Sequence, residues 1–102
     1  MSGVVVERQG GLARVTLARP PLNLLTPSLI GDLRAAFEGL ARAPEVRVIV
    51  LGAAGRAFSG GVEVQAMRDL DPAAGRAFIG ALHAAIEVVA AVPAVVLACL
   101  HG

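Results

Sequence analysis

The sequence has no tryptophan, no tyrosine, no lysine and a single cysteine among its 102 residues. Each shortage excludes something. Aromatics make up 3% of the chain, all of them phenylalanine, so the core has to be built from alanine, valine, leucine and isoleucine. One cysteine, Cys99, forbids an internal disulfide; set in the apolar run 94–100, it reads as a buried thiol. All nine cations are arginines, balanced by eight acidic residues to a net charge of +1. They form no run, so no nucleic-acid or membrane-surface footprint is visible. The start, Met1-Ser2-Gly3-Val4, lacks the basic stretch leading into an apolar one that marks a secretory signal. The longest apolar helical pattern is interrupted by Arg76, His83 and Glu87, which argues against a membrane span. A reducing, cytoplasmic setting is expected.

What is present is small and aliphatic. The chain is 56% hydrophobic, and its length suits one small domain. A domain of this size buries a smaller share of its surface than a large one does. The surplus apolar residues therefore imply a cover, either a partner chain or a further part of the protein.

The apolar residues fall into recognisable periods. Val4-Val5-Val6-Glu7-Arg8 reads as a strand, Gly10-Gly11 as a turn, and Ala13-Arg14-Val15-Thr16-Leu17 alternates at period two, so a β-hairpin is expected. Arg19-Pro20-Pro21 stops it, because proline cannot donate to a ladder. Thr26-Pro27 supplies a hydroxyl N-cap and a proline at the first helical position. Leu29, Ile30, Leu33, Phe37 and Leu40 then recur at helical spacing, with Arg34, Glu38 and Arg42 opposite and Pro44 as the stop. Residues 46–51 form a largely β-branched run, the pattern of a strand buried on both faces. A loop over 52–55 follows. Asp71-Pro72 repeats the helix-start chemistry. Phe78, Leu82, Ile86 and Val89 make a second helical stripe that Pro93 closes, and 94–100 reads as another buried strand. The expected order is β-β-α-β-loop-α-β. The last strand runs directly into His101-Gly102, which reads as a chain cut short.

Chemistry concentrates in Gly55-Arg56-Ala57-Phe58-Ser59-Gly60-Gly61-Val62-Glu63. This segment follows a buried strand and precedes 63–70, which can form a short helix. Adjacent glycines let the backbone turn freely and let a ligand come close. Peptide N–H groups at the start of a helix have no internal partner and point outward. Such donors can hold a carbonyl oxygen as negative charge develops on it, an oxyanion hole, and the N–H of Val62 is placed for that. Spacing alone also fits, and favours, a plain strand–glycine–helix turn, because short glycine motifs are common.

Three blocks in register change that balance. The run Arg19-Pro20-Pro21-Leu22-Asn23-Leu24-Leu25 resembles the early "RP…LNAL" signature of the crotonase (enoyl-CoA hydratase/isomerase) family. Residues 46–51 followed by 55–63 resemble its "vrvivltG.g.aFsaGaDl" stretch, and 93–102 resembles its "kPviAavnG" strand. Together they span essentially the whole chain. The resemblance implies an α/β fold of the ClpP/crotonase type, with stacked β-β-α units, of which residues 1–102 would be the N-terminal portion of the spiral domain. It implies an acyl-CoA thioester as substrate, with CoA part of the substrate rather than a cofactor. By the same resemblance Val62 offers one oxyanion N–H, Ser59, Gly60 and Gly61 help to hold CoA, and Leu22 and Leu24 lie near it. Two positions depart from the pattern: Gly60 replaces a small residue with a looser one, and Glu63 replaces an aspartate with a longer arm. The family's second oxyanion donor and its acid/base glutamates lie beyond position 102. A lone oxyanion donor delivers no general acid–base catalysis, so the 102 residues alone are expected to be inactive. A homo-oligomer, trimer or hexamer, is implied in the same way.

Other residues invite less. His83 and Glu87 share a helix face at i, i+4, but no third ligand stands at a matching spacing, so a solvated pair is expected and no metal site. His101, beside the expected site, has a pKa suited to proton transfer, although the family has a structural polar residue there. Ser59 lacks the Gly-x-Ser-x-Gly elbow of a hydrolase, since Ala57 stands where the first glycine belongs. Arg56 and Arg68 flank the segment and are candidates for meeting CoA phosphates; Met67 fits a helix core or a pocket wall. The reaction expected is hydration of a 2-enoyl-CoA. Its rivals are another crotonase reaction (isomerisation, dienoyl-CoA hydration, thioester hydrolysis), a non-catalytic CoA-binding module, and a serine hydrolase.

Overall fold

Four strands and two long helices realise the expected order in the computed structural model, which describes residues 3–61, 68 and 71–101. The hairpin forms from β1 (Val4–Gln9) and β2 (Leu12–Leu17), antiparallel with Val6 opposite Val15. Gly10, at φ 60°, turns the corner between them. Helix α1 (Pro27–Ala41) crosses over, and β3 (Val48–Ala53) returns parallel to β2, with Ala13 opposite Ile49. Helix α2 (Pro72–Ala91) leads to β4 (Val95–Ala98), parallel to β3. The sheet order is β1-β2-β3-β4.

Both helix starts follow from their caps. The Thr26 hydroxyl accepts from the Leu29 N–H at 3.2 Å and the Asp71 carboxylate accepts from Ala74 at 2.7 Å, each followed by a proline that has no N–H to leave unsatisfied. From α1, Leu29, Phe37 and Leu40 sink into one core with Val4, Ala13, Val15, Leu17 and Ile49 from the sheet. Ile30, on the flank of the same helix, makes a second cluster with Phe78 and Ala85 of α2. Thus α1 is the keystone between the sheet and α2.

Several expectations shift. The third strand begins two residues later than the β-branched run, because the Val46 N–H closes a turn onto Ala43 and those of Arg47 and Val48 both reach Gly11. It runs on through Gly52 and Ala53, which pair with Thr16 and Leu17. Only Ile49 in it is buried; the rest is half-buried, so the strand is not covered on both faces. The last strand is shorter than 94–100 and mostly exposed. Val96 turns toward the core, whereas Val95 and Leu97 face outward at 60% and 53% exposure. Cys99, just past it, is exposed rather than buried. On α2 the buried position is Ala85, one residue before Ile86, which stands 59% exposed. Phe78, Leu82, Ala85, Val89 and Val92 follow the 3.6-residue period more closely than the larger side chains do. By length and composition α2 also qualifies as a possible membrane-crossing helix, against the expectation from its charged interruptions. Its Phe78–Ala85 face nevertheless packs on α1.

Candidate functional site

The site is built where two loops at one end of the sheet are sewn together. Segment 18–25 leaves β2, and segment 54–61 leaves the neighbouring parallel strand β3. Ligands in open parallel sheets commonly bind beyond the carboxyl ends of the strands, and both loops lie there. They pair through their backbones: Gly60 N–H donates to Leu22 O at 2.7 Å, and Leu25 N–H to Gly61 O at 2.8 Å. Gly61 adopts φ 88°, in the left-handed region, with open space where a side chain would stand. Gly60 is needed for space: a Cβ there would come within 2.9 Å of Leu24 Cδ2. Gly55, at φ 91°, lies so close to Pro20 that a Cβ would meet it at 2.8 Å.

Asn23 ties the two loops together from inside. Fully buried and at φ 47°, it is the one buried polar side chain among the described residues. Its amide donates to Ala54 O at 2.8 Å and Ala57 O at 3.0 Å, while its Oδ1 accepts from the Arg19 N–H at 2.7 Å. The Ser59 hydroxyl donates to Asn23 O and accepts from the Gly61 N–H, both at 3.0 Å. From the other side, His101 Nε2 lies 2.9 Å from Gly55 O. A carbonyl only accepts, so Nε2 carries the hydrogen. The Phe58 N–H completes this latch by donating to His101 O at 3.1 Å.

Beside these loops opens a cavity of about 300 Å³ lined by Arg19, Pro20, Pro21, Leu22, Asn23, Leu24, Thr26 and Ser28. Its walls are mainly apolar, with an arginine and two hydroxyls at hand, the mixture that suits a small molecule of mixed polarity.

The sequence-derived residues sort clearly. Leu22 and Leu24 line the cavity, while Gly60 and Gly61 pair with Leu22 and Leu25 and the Ser59 hydroxyl bonds Asn23 O. Val62, with Met67 and all of 62–70 except Arg68, lies outside the described residues. Arg56 and Arg68 are exposed. Both hydrogen-bonding roles of the Ser59 hydroxyl are taken by backbone groups, an arrangement that shapes a loop and does not activate a nucleophile. His83 and Glu87 form an exposed pair at 3.2 Å, away from these loops on α2, and no group of three metal-ligating side chains occurs among the described residues. Two contributors escaped sequence reasoning. Arg19 reads as a strand stop and as part of the early motif, with no site role of its own, yet it lines the cavity. Asn23 was part of a motif without a role. Its signal was chemical: asparagine is among the few side chains that tolerate the left-handed region, and here it sits alone in an apolar run.

The family model for enoyl-CoA hydratase/isomerase matches residues 7–102. A "probable enoyl-CoA hydratase" of Mycobacterium avium is 30% identical over 96 residues, which is 94% of this chain and 37% of that protein. The cyclohexa-1,5-dienecarbonyl-CoA hydratase of Thauera aromatica is 31% identical over 99 residues, 97% of this chain and 37% of that one. Among solved structures, an enoyl-CoA hydratase of Mycobacterium smegmatis superposes with a TM-score of 0.94 at 28% identity, covering 100% of this chain and 41% of its own. An enoyl-CoA hydratase/carnithine racemase of Magnetospirillum magneticum gives 0.92 at 29% identity, covering 100% and 40%. The α/β fold expected from the three motifs is therefore the fold observed, and the chain spans well under half the length of the relatives it matches.

Proposed function

The chain belongs to the enoyl-CoA hydratase/isomerase family, and from that premise we propose that the full-length protein hydrates a 2-enoyl-CoA, using a backbone oxyanion hole to which Val62 contributes one N–H. The observation that carries this reading is the edge in which Gly60 pairs with Leu22 and Gly61 with Leu25, beside the cavity of about 300 Å³ that Leu22 and Leu24 line. The edge leads directly into Val62. Val62 lies outside the described residues, and its role as donor to the thioester carbonyl is taken from the family resemblance.

The chemistry follows from charge. Water adds through its oxygen to the β-carbon, giving one proton to a general base, and the double-bond electrons move toward the thioester carbonyl, whose oxygen becomes an enolate. Hydrogen-bond donors already aimed at that oxygen stabilise the developing charge without reorganising. A proton then reaches the α-carbon and the thioester carbonyl reforms. The groups that move protons, and a second donor, are proposed to lie in sequence outside these 102 residues, so the chain by itself is inactive. CoA is held as part of the substrate, and no separate cofactor is invoked. The reading includes a cytoplasmic homo-oligomer, a trimer or hexamer. The likeness to a cyclohexa-1,5-dienecarbonyl-CoA hydratase favours a conjugated dienoyl thioester as the second reading.

The test is turnover of crotonyl-CoA by the full-length protein and by its Val62→Pro variant, in which the proposed donor is removed. Hydration by the native protein with a loss of about 100-fold or more in the variant is expected, the scale of losing an oxyanion donor. Unchanged turnover in the variant would rule out Val62 as that donor. CoA binding without turnover by the native protein would leave a binding module instead.

A further inference from the structure

We infer that Arg19 is a binding residue of the cavity: its guanidinium takes a phosphate group of the CoA part of the substrate. The inference rests on the acyl-CoA reading given above and is independent of Val62.

Charge singles Arg19 out. Among the described residues it is the one charged group lining the cavity, and no carboxylate lines it. Thr26 and Ser28 add two hydroxyls. Thr26 Oγ1 accepts from the Leu29 N–H, which leaves its own hydrogen free to donate. A cation with hydroxyl donors and no acid is complementary to an anion with several acceptor oxygens. The planar fork of a guanidinium matches a phosphate in particular. Other arginines are placed differently. Arg8 and Arg34 are paired with Glu45 and Glu38, and Arg56 and Arg68 are not lining residues. Arg19 itself enters no ion pair among the described residues.

The Arg19 side chain also has a prepared seat. Gly3 is buried, and a Cβ there would come within 2.6 Å of Arg19 Nε, 3.1 Å of Arg19 Cγ and 3.0 Å of Leu29 Cδ1. The arginine stem therefore lies across the bare Cα of Gly3, in space that any other residue would fill. The Gly3 backbone is pinned on both sides. Its N–H donates to Asp32 Oδ2 at 2.9 Å, and its carbonyl accepts from the Ala18 N–H at 2.7 Å. Asp32, the acid that reaches Gly3, makes that bond and no ion pair with Arg19. At the start of the same side chain, the Arg19 N–H is held by Asn23 Oδ1 at 2.7 Å. Backbone and stem are thus fixed before any ligand arrives, so less rotamer freedom is lost on binding. Gly3 precedes residues 7–102, which the family model matches, so the seat is a feature of this chain outside the matched segment.

The experiment uses the full-length protein, its Arg19→Met and Gly3→Ala variants, and a series of thioesters: crotonyl-CoA, crotonyl-3′-dephospho-CoA, which lacks one phosphate, and crotonyl-pantetheine, which lacks them all. Methionine keeps an unbranched stem and removes the charge, at a position that is exposed. In Arg19→Met, KM for crotonyl-CoA is expected to rise about tenfold, the scale of one hydrogen bond to a charged group. Its kcat should stay within about twofold, the pattern of a contact made equally in the ground and transition states. For crotonyl-pantetheine, KM should differ between native and variant by less than about twofold, since no phosphate is there to lose. A loss retained with the dephospho thioester assigns the contact to the diphosphate; a loss confined to crotonyl-CoA assigns it to the 3′-phosphate. Gly3→Ala, which displaces the stem, should raise KM for crotonyl-CoA by less, and again not for crotonyl-pantetheine. An Arg19→Met variant that keeps the native KM for crotonyl-CoA, or that loses equally on all the thioesters, overturns the inference while leaving the proposed function standing. Should Gly3→Ala not fold, Arg19→Met decides alone. Should the native protein bind the thioesters without turnover, their dissociation constants by calorimetry decide in the same way. A native protein that neither turns over nor binds crotonyl-CoA sinks the functional reading, and this inference with it.

Discussion

At the residue scale the glycines of loop 54–61 are needed for different reasons, and substitution separates them. Gly60 has no positive φ, but a Cβ would press on Leu24 Cδ2 at 2.9 Å. That atom is the free end of a side chain, so Gly60→Ala is expected to cost about 1 kcal/mol, the low end for an added methyl group where a flexible neighbour gives way. Because Leu24 lines the cavity, the effect should surface as a raised KM for acyl-CoA, measurable by steady-state kinetics. Gly61 has open space around it but sits at φ 88°. Gly61→Ala should therefore destabilise by about 1–2 kcal/mol through backbone strain alone, seen in denaturant titration. A larger loss for Gly60→Ala than for Gly61→Ala would reverse this assignment. Motif comparison makes both glycines visible in the sequence. What it does not distinguish is which needs space and which needs φ, since that depends on Leu24, thirty-odd positions away. Asn23 was hidden for the same reason: its partners Ala54, Ala57 and Ser59 are distant in sequence and mostly backbone.

At the element scale the helix starts were fully legible, because a cap is local. Thr26 and Asp71 act within three residues of themselves. Replacing either by alanine should cost about 1 kcal/mol, and the two losses should add, since they cap different helices and share no partner. A double variant losing clearly more than the sum in thermal denaturation would show coupling between α1 and α2 beyond their packed faces. Strand limits and burial were less legible. The run 46–51 is largely β-branched, yet its first residues turn toward Ala43 and Gly11; hydrophobicity marks what is buried, not what is paired. A weaker tie joins the hairpin tip to the turn before β3, where Arg8 pairs with Glu45 in solvent. The Glu45 carboxyl is held below its ordinary 4.5 by a hydrogen bond from its own backbone and then by Arg8. A lowered folded-state pKa stabilises above the ordinary value and is lost as pH falls through the lowered one. Glu45→Gln should thus leave stability near neutral pH slightly lower, and remove a small part of the loss seen on acidification below about 4.5. A stability–pH profile unchanged by the substitution would show that the pair contributes nothing.

At the scale of the whole molecule the sheet has one finished face. Phe37, Leu29, Ile49 and Val15 are fully buried between α1 and the sheet, and Phe37→Ala should cost roughly 3–5 kcal/mol. On the opposite face the period-two alternation of β4 turns Val95 and Leu97 outward, beside the half-buried Val48 and Val50 with which they stand in register. Composition foretold the surplus: a chain that is 56% hydrophobic has more apolar surface than one small core can take in. It could not say where the surplus would fall, because burial of 94–100 depends on what lies across the sheet. An exposed apolar strand whose outer edge has no partner among the described strands is a template for adding another. The 102 residues expressed alone are therefore expected to self-associate, with sedimentation velocity showing species larger than the monomer at micromolar concentration. Leu97→Lys should shift them toward monomer, since a charge on an edge strand opposes pairing. In the full-length protein the same substitution discriminates. If that face is covered, burying the lysine should destabilise by several kcal/mol; if it is open to water, the change should stay within about 0.5 kcal/mol. A stable, monomeric 102-residue chain together with a neutral Leu97→Lys in the longer protein would mean that the outer face of this sheet is solvent-facing and that its apolar residues have no structural partner.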